Sequence, residues 1–206
     1  MAKDTADESR DQHAPLSKDY LRAHTVGELQ PLTRPIDVVD YDPGWPRQFE
    51  DEEKILRSAL GEHAVRIEHV GSTSVPGLAA KPVIDIVLVV ADSSREAEYA
   101  EPLAGAGYQL RIREPEWWEH RMFNRPGKSV NLHVFSAGCP EIDRMLLFRD
   151  WLRNCDADRE SYARLKRELA EQEWKYTQNY ADAKTALIAE ILSRAQQARG
   201  YGFNDQ

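Results

Sequence analysis

The run Val83-Ile84-Asp85-Ile86-Val87-Leu88-Val89-Val90 constrains the fold more than any other stretch of this chain. Apolar residues at successive positions, rather than alternate ones, mark a strand covered on both faces, so this segment is the predicted central strand of a layered domain. Asp85 interrupts it. A carboxylate in such a run loses hydration unless it reaches a cation, a donor or the sheet edge. Metal ligation and charge pairing, for example with Lys81 or an arginine, both satisfy that requirement, and either makes Asp85 a candidate site residue.

The flanking pattern predicts an α/β (α+β) fold. Pro35-Ile36-Asp37-Val38-Val39 reads as a strand, and Asp42-Pro43-Gly44-Trp45-Pro46 as a turn. Phe49, Ile55, Leu56 and Leu60 then follow at helical spacing, with Glu50 to Glu53 expected near the helix start, where acidic charge suits the dipole. Val65 to Val70 alternates like a half-buried strand, and Ser93 to Ala106 has helical composition ending at Gly107. Tyr108 to Arg113, His120 to Asn124 and Val130 to Ser136 are short strand candidates. From Pro140 onward, apolar stripes through Met145–Leu152, Tyr162–Leu169 and Ala183–Ile191 predict three helices. The expected architecture is a mixed sheet with flanking helices and a helical C-terminal third.

A length of 206 residues with 41% hydrophobic content suits one core of ordinary size. Residues 31–200 are expected to form that domain, residues 1–30 a disordered or loosely ordered arm, with Lys18 to Pro35 read as an ordered arm or a short helix, and residues 201–206 a tail. Basic residues number 27 against 35 acidic, a net charge of −8, which disfavours nucleic acid and anionic lipid as partners. No apolar run approaches the roughly 20 residues of a membrane span, and the N-terminus lacks a secretion-signal pattern, so a cytoplasmic location is expected. Cys139 and Cys155 form no CxxC pair and are expected to be buried or partly buried thiols.

The segment before the central strand is Glu68-His69-Val70-Gly71-Ser72-Thr73-Ser74-Val75-Pro76-Gly77-Leu78-Ala79-Ala80-Lys81. A strand ending at Val70 is followed by a glycine that permits close approach of a ligand, then by the hydroxyls and amides of Ser72, Thr73 and Ser74, which are expected to open a short helix. Outward-pointing amides at such a start bind anions, phosphate first among them. A plain helix cap at Ser72 and a turn glycine at Gly71 are the alternative.

These residues, together with Tyr41-Asp42-Pro43-Gly44-Trp45, Phe148-Arg149-Asp150-Trp151-Leu152, Tyr162 with Leu165-Lys166, and Tyr180 with Lys184, resemble the GrpB family of small bacterial proteins from about Val38 to Leu192. The resemblance implies a nucleotidyltransferase-like fold. In that superfamily a Gly-Ser pair holds nucleotide phosphates, and an acidic–hydrophobic–acidic strand binds Mg²⁺. Gly71-Ser72 and Asp85 stand in the corresponding places, but Val87 replaces the second acid. Mg²⁺ would then draw on Glu68, or on Asn131 and His133, which share a face of the Val130–Phe135 strand. His133 is a candidate for metal ligation and for acid–base work, with a hydrogen-bonded core histidine as the alternative. His69 points to the other face from Glu68 and Val70 and is the weaker candidate.

Trp117-Trp118-Glu119-His120-Arg121 offers a stacking wall for a base, with Arg121 reaching a phosphate, or simply closes the sheet. The resemblance also suggests that Arg149, Lys166 and Lys184 lie over the triphosphate, against the alternative of solvated helix surface. Two functions follow. One is Mg²⁺-dependent transfer of a nucleotidyl group from an NTP to a small-molecule acceptor. The other is a non-catalytic nucleotide-binding or protein-helper module of the kind found joined to dephospho-CoA kinase, with a protein partner. Other group-transfer chemistry in the same pocket is a further possibility, since fold does not dictate function.

Overall fold

In a computed structural model describing residues 16–201, the apolar run forms strand β2 (Ile84–Val90), preceded by β1 (Arg66–Val70). Strands β3 (Gln109–Glu114), β4 (His120–Asn124) and β5 (Val130–Ser136) complete a five-stranded sheet of order β1-β2-β5-β4-β3. The pair β2/β5 is parallel and the other pairs are antiparallel. β2 is therefore second in the sheet, with β5 in the middle. An unbroken apolar run reports that both faces are covered and says nothing of position in the order.

Both faces are indeed covered. Ile84, Ile86, Leu88 and Val90 pack with Trp45, Leu56 and Leu60 of helix α2 (Trp45–Leu60) and with Leu103 of α3 (Ala100–Gly105). Val87 and Val89 face the other way, against Ile142 and Leu146 of α4 (Pro140–Asn154). Ile86 has no exposed surface, and truncation to alanine there should cost about 2–5 kcal/mol. Beyond α4 the chain continues through α5 (Asp156–Ala170), α6 (Thr177–Asp182) and α7 (Thr185–Tyr201). The three expected stripes thus become four helices. Apolar spacing alone did not register the joint at Ala183-Lys184, where α6 ends.

Other elements depart from expectation for local reasons. Pro35 to Val39 makes only an isolated bridge, Val39 to Ala80, because Ile36 packs against Leu169 and Tyr180 instead of joining the sheet. The Ser93–Ala106 helix shrinks to α3, preceded by a 3-10 turn at Glu96–Glu98. Starting there places Pro102 in the first turn, where its missing N–H costs nothing. Helix α2 begins at Trp45, so no acidic residue falls in its first turn. Glu52 is buried instead and accepts hydrogen bonds from Tyr108 (2.5 Å) and Arg125 (2.7 Å).

A short helix α1 (Lys18–His24) lies against β3, tied by Val26 N–H to the Arg111 carbonyl at 2.8 Å. The expected tails fall mostly at residues 1–15 and 202–206, outside the described residues. Cys139 is buried and Cys155 partly so, both free. No helix among the described residues is long and apolar enough to cross a membrane.

Candidate functional site

The site begins where β1 hands over to β2. Val70 is the register partner of Asp85, so the next residue, Gly71, lies directly beside the Asp85 carboxylate. Gly71 has φ of +69°, and a Cβ built there would collide with that carboxylate. Only glycine suits both the backbone and the contact. The chain then makes a single 3-10 turn, Ser72–Ser74, rather than a longer helix. Thr73 donates to the Val83 carbonyl at 2.9 Å and Ser74 to the Gly71 carbonyl at 2.6 Å, so these two hydroxyls shape the turn. Ser72 is hydrogen-bonded to the buried Tyr162 hydroxyl of α5.

Asp85 keeps partial exposure and accepts a 2.9 Å hydrogen bond from Asn131, its register partner on β5. Burial pushes its carboxyl up to about 6, against the opposing pull of Asn131, Lys184 and Lys81. Burial likewise brings the Lys184 ammonium down to about 8, with Asp85 acting in the other direction. On both groups desolvation outweighs mutual attraction.

Aromatic rings complete this corner. Lys184 Nζ lies 3.7 Å from the centre of the Tyr180 ring, and the buried Tyr180 hydroxyl has no hydrogen-bond partner among the described residues. A buried hydroxyl without a partner costs free energy on the order of 1–3 kcal/mol, which a bound acceptor would relieve. Lys81 also lines a cavity of about 350 Å³ between the Gln30–Ile36 arm and Thr177 at the start of α6.

Pleating sorts the remaining candidates. Register places Glu68, Asp85, Val87, Asn131 and His133 on one face, with Val87 opposite His133. His133 Nδ1 lies 3.1 Å from His120 Nε2, and His120 Nδ1 lies 2.7 Å from Glu114. Burial and the neighbouring His120 pull His133 down to about 3, so it is neutral at physiological pH.

Several expected ligands are committed elsewhere. Glu68 accepts from Arg149 (2.7 Å) and Arg66 (2.8 Å), while Arg149 also donates to Asp150 and to the His69 carbonyl. Arg121 lies on the opposite face from Asp85, donating to Glu96 (2.9 Å) and Glu119 (3.2 Å). Its expected phosphate contact does not fit that placement, because strand alternation turns it to the α3 side. His69 is also on that far face, stacked on Phe49 and held 3.0 Å from Thr73. Lys166 does not lie free over the cleft. Its Nζ is buried, donates to the Ala79 carbonyl, and is drawn down to about 6 by burial and by Lys184. Trp117 packs edge-on against His120 and Phe135, while Trp118 turns outward. Among the described residues no group of three or more His, Cys, Asp or Glu is placed to hold a metal ion, so Asp85, Glu68 and His133 share a face without forming a ligand cage.

Three residues that the sequence did not single out as site candidates are Tyr180, Asn124 and Glu114. Asn124 pairs with Asn131 across β4/β5, and its buried side-chain oxygen has no partner among the described residues. A signal for the tyrosines existed. Tyr162/Lys166 and Tyr180/Lys184 are each four apart, the spacing that sets a cation over a ring, and both contacts form.

Comparison with known proteins places these features in context. The family model described as GrpB protein matches residues 35–194. UPF0157 protein BH1888 of Halalkalibacterium halodurans is 56% identical over 181 residues, covering 88% of this chain and 93% of that one. The crystal structure of conserved protein GrpB from Enterococcus faecalis superposes with a TM-score of 0.71 at 32% identity, covering 79% of this chain and 99% of the other. A dephospho-CoA kinase of Mycolicibacterium paratuberculosis is 34% identical over 84% of this chain, which spans only 49% of that protein.

Proposed function

The chain belongs to the GrpB family, and we propose that the Asp85 corner of its sheet binds the phosphates of a nucleoside triphosphate and supports transfer of the nucleotidyl group to a small hydroxyl-bearing acceptor. The observation that carries this reading is the convergence on one carboxylate of a glycine turn with no room for a side chain and two lysines, one of them set over the ring of Tyr180, whose hydroxyl has no partner among the described residues. Lys184 and Lys81 supply charge for phosphate, Ser72 and Tyr180 supply donors, and Gly71 lets the ligand come close.

The donor set fits a magnesium ion that arrives with the nucleotide rather than one held in advance. Mg²⁺ commonly uses one or two carboxylates with substrate phosphates and water as its other ligands. Here Asp85 would be the carboxylate. Asn131, whose amide nitrogen already donates to Asp85, has its side-chain oxygen left to offer. When bound, the ion would neutralise triphosphate charge.

Calorimetry with MgATP and the other nucleoside triphosphates tests the reading. Binding that requires both metal and nucleotide, and that falls at least tenfold in Ser72→Ala and Lys184→Met, supports it. Equal binding by both variants refutes it. Val87, fully buried at the second acidic place, favours one competing role: a nucleotide-binding helper without transfer, as the joining to dephospho-CoA kinases suggests. Metal-independent binding without pyrophosphate release would select that role.

A further inference from the structure

A second polar system runs from His133 in the opposite direction from Asp85, into the sheet. Tyr20 of α1 donates to Glu114 Oε1 at 2.8 Å, and Glu114 Oε2 meets His120 Nδ1 at 2.7 Å. His120 Nε2 meets His133 Nδ1 at 3.1 Å. The two imidazole planes lie within 17° of each other at 5.3 Å between centres, too far apart for face contact and suited to an in-plane hydrogen bond. Glu114 and His120 are both buried, and Trp117 and Phe135 pack around His120. His133 Nε2 has no hydrogen-bond partner among the described residues.

Hydrogen-bond polarity leaves few states for this row. The Glu114 carboxylate accepts, so His120 carries its hydrogen on Nδ1. With His120 neutral, its Nε2 accepts the Nδ1 hydrogen of His133, and His133 Nε2 carries a bare lone pair. With His120 charged, both bonds from its ring are donated, and His133 carries its hydrogen on Nε2. The states differ by one proton taken up at His133 Nε2 and one passed from His133 Nδ1 to His120 Nε2. In the second state the positive charge rests on His120, against Glu114, rather than on His133.

We propose that Glu114 and His120 are positioning residues that hold His133 with its Nε2 lone pair presented on the Asp85 face, so that it can take a proton while the resulting charge is carried by His120. This rests on the nucleotidyl-transfer reading for its last step. There, the acceptor hydroxyl gives its proton to His133 Nε2, and its oxygen forms a bond to the α-phosphorus. The bond from that phosphorus to the bridging oxygen breaks, and pyrophosphate leaves with the electron pair.

Side-chain ¹⁵N NMR of the full chain near pH 7.5, without nucleotide, reads the tautomers directly. His133 is expected as the Nδ1–H form with Nε2 bare, and His120→Phe is expected to reduce the ratio of that form to the other roughly tenfold by removing its acceptor. Glu114→Gln keeps volume and an accepting oxygen, so it should preserve the resting tautomer and hold MgATP affinity within about twofold. It should still slow pyrophosphate release from MgATP, with water as the acceptor, on the order of 10- to 100-fold, because the anion that stabilises charged His120 is gone. A wild-type His133 found with its hydrogen on Nε2, or a tautomer unmoved by His120→Phe, overturns the relay while leaving the nucleotide reading intact. An unchanged rate in a folded Glu114→Gln protein overturns it too. Absence of pyrophosphate release from the wild type refutes the transfer reading and the base role together, even if the tautomers are as expected.

Discussion

Replacing Asp85 with asparagine should stabilise the protein above neutral pH and, on the proposed reading, abolish binding of metal-nucleotide. The folded carboxyl sits near 6 against an ordinary 3.8, with burial the largest cause. A folded value above the unfolded one means that the native state holds its proton more tightly. Asp85 therefore imposes no penalty below about pH 3.8, and stability is lost as pH rises through about 6. The shift of about two units corresponds to at most ~3 kcal/mol, and the partial exposure of the residue reduces this to about 1–2 kcal/mol. Asparagine mimics the neutral acid and can still accept from Asn131. Thermal unfolding at pH 8 should then rise by roughly 2–8 °C in Asp85→Asn, and the difference should vanish near pH 4. A variant less stable than wild type at pH 8, or a gain of equal size at pH 4, would refute the argument that desolvation dominates at this carboxylate.

Further outcomes follow from the same geometry. Gly71→Ala should destabilise by about 1–3 kcal/mol in urea unfolding, since the new Cβ meets the Asp85 carboxylate at a left-handed φ; the double variant with Asp85→Ala should recover part of the loss. Lys166 is drawn down to about 6, so the unfolded state binds more protons between about pH 6 and 10.5, and stability should rise with pH across that window. Lys166→Met should flatten that rise in melts taken from pH 7 to 9. Arg121→Gln should leave MgATP affinity within about twofold while lowering stability, because its partners are Glu96 and Glu119 on the far face.

Much of the frame was legible in the sequence because its signals are local. Unbroken β-branched residues announced β2, turn residues bounded the strands, and Gly71-Ser72 stood out as a glycine and hydroxyl group between a strand and that run. Asp85 was conspicuous because a charge among apolar neighbours has few cheap explanations. The neighbours of a charge are harder to read. Nothing local distinguishes Lys166, held to a buried carbonyl, from Lys184, which faces Asp85, since both lie four residues after a tyrosine. Glu68 and Arg149 each looked free until they were found bonded to one another across 81 residues of chain.

What the sequence by itself determined is most of the strands and helices, the covered nature of β2, and the glycine turn that joins β1 to it. All of these follow from periodicity and from the steric rules of single residues. Only the tertiary structure decided strand order, which sheet face each candidate occupies, and which charges are already paired. Those outcomes depend on register and on contacts between residues far apart in the chain. They turned Arg121 to the face opposite Asp85, paired Glu68 with Arg149, brought Lys184 toward Asp85 and over the ring of Tyr180, and joined Glu114 to His133 through His120.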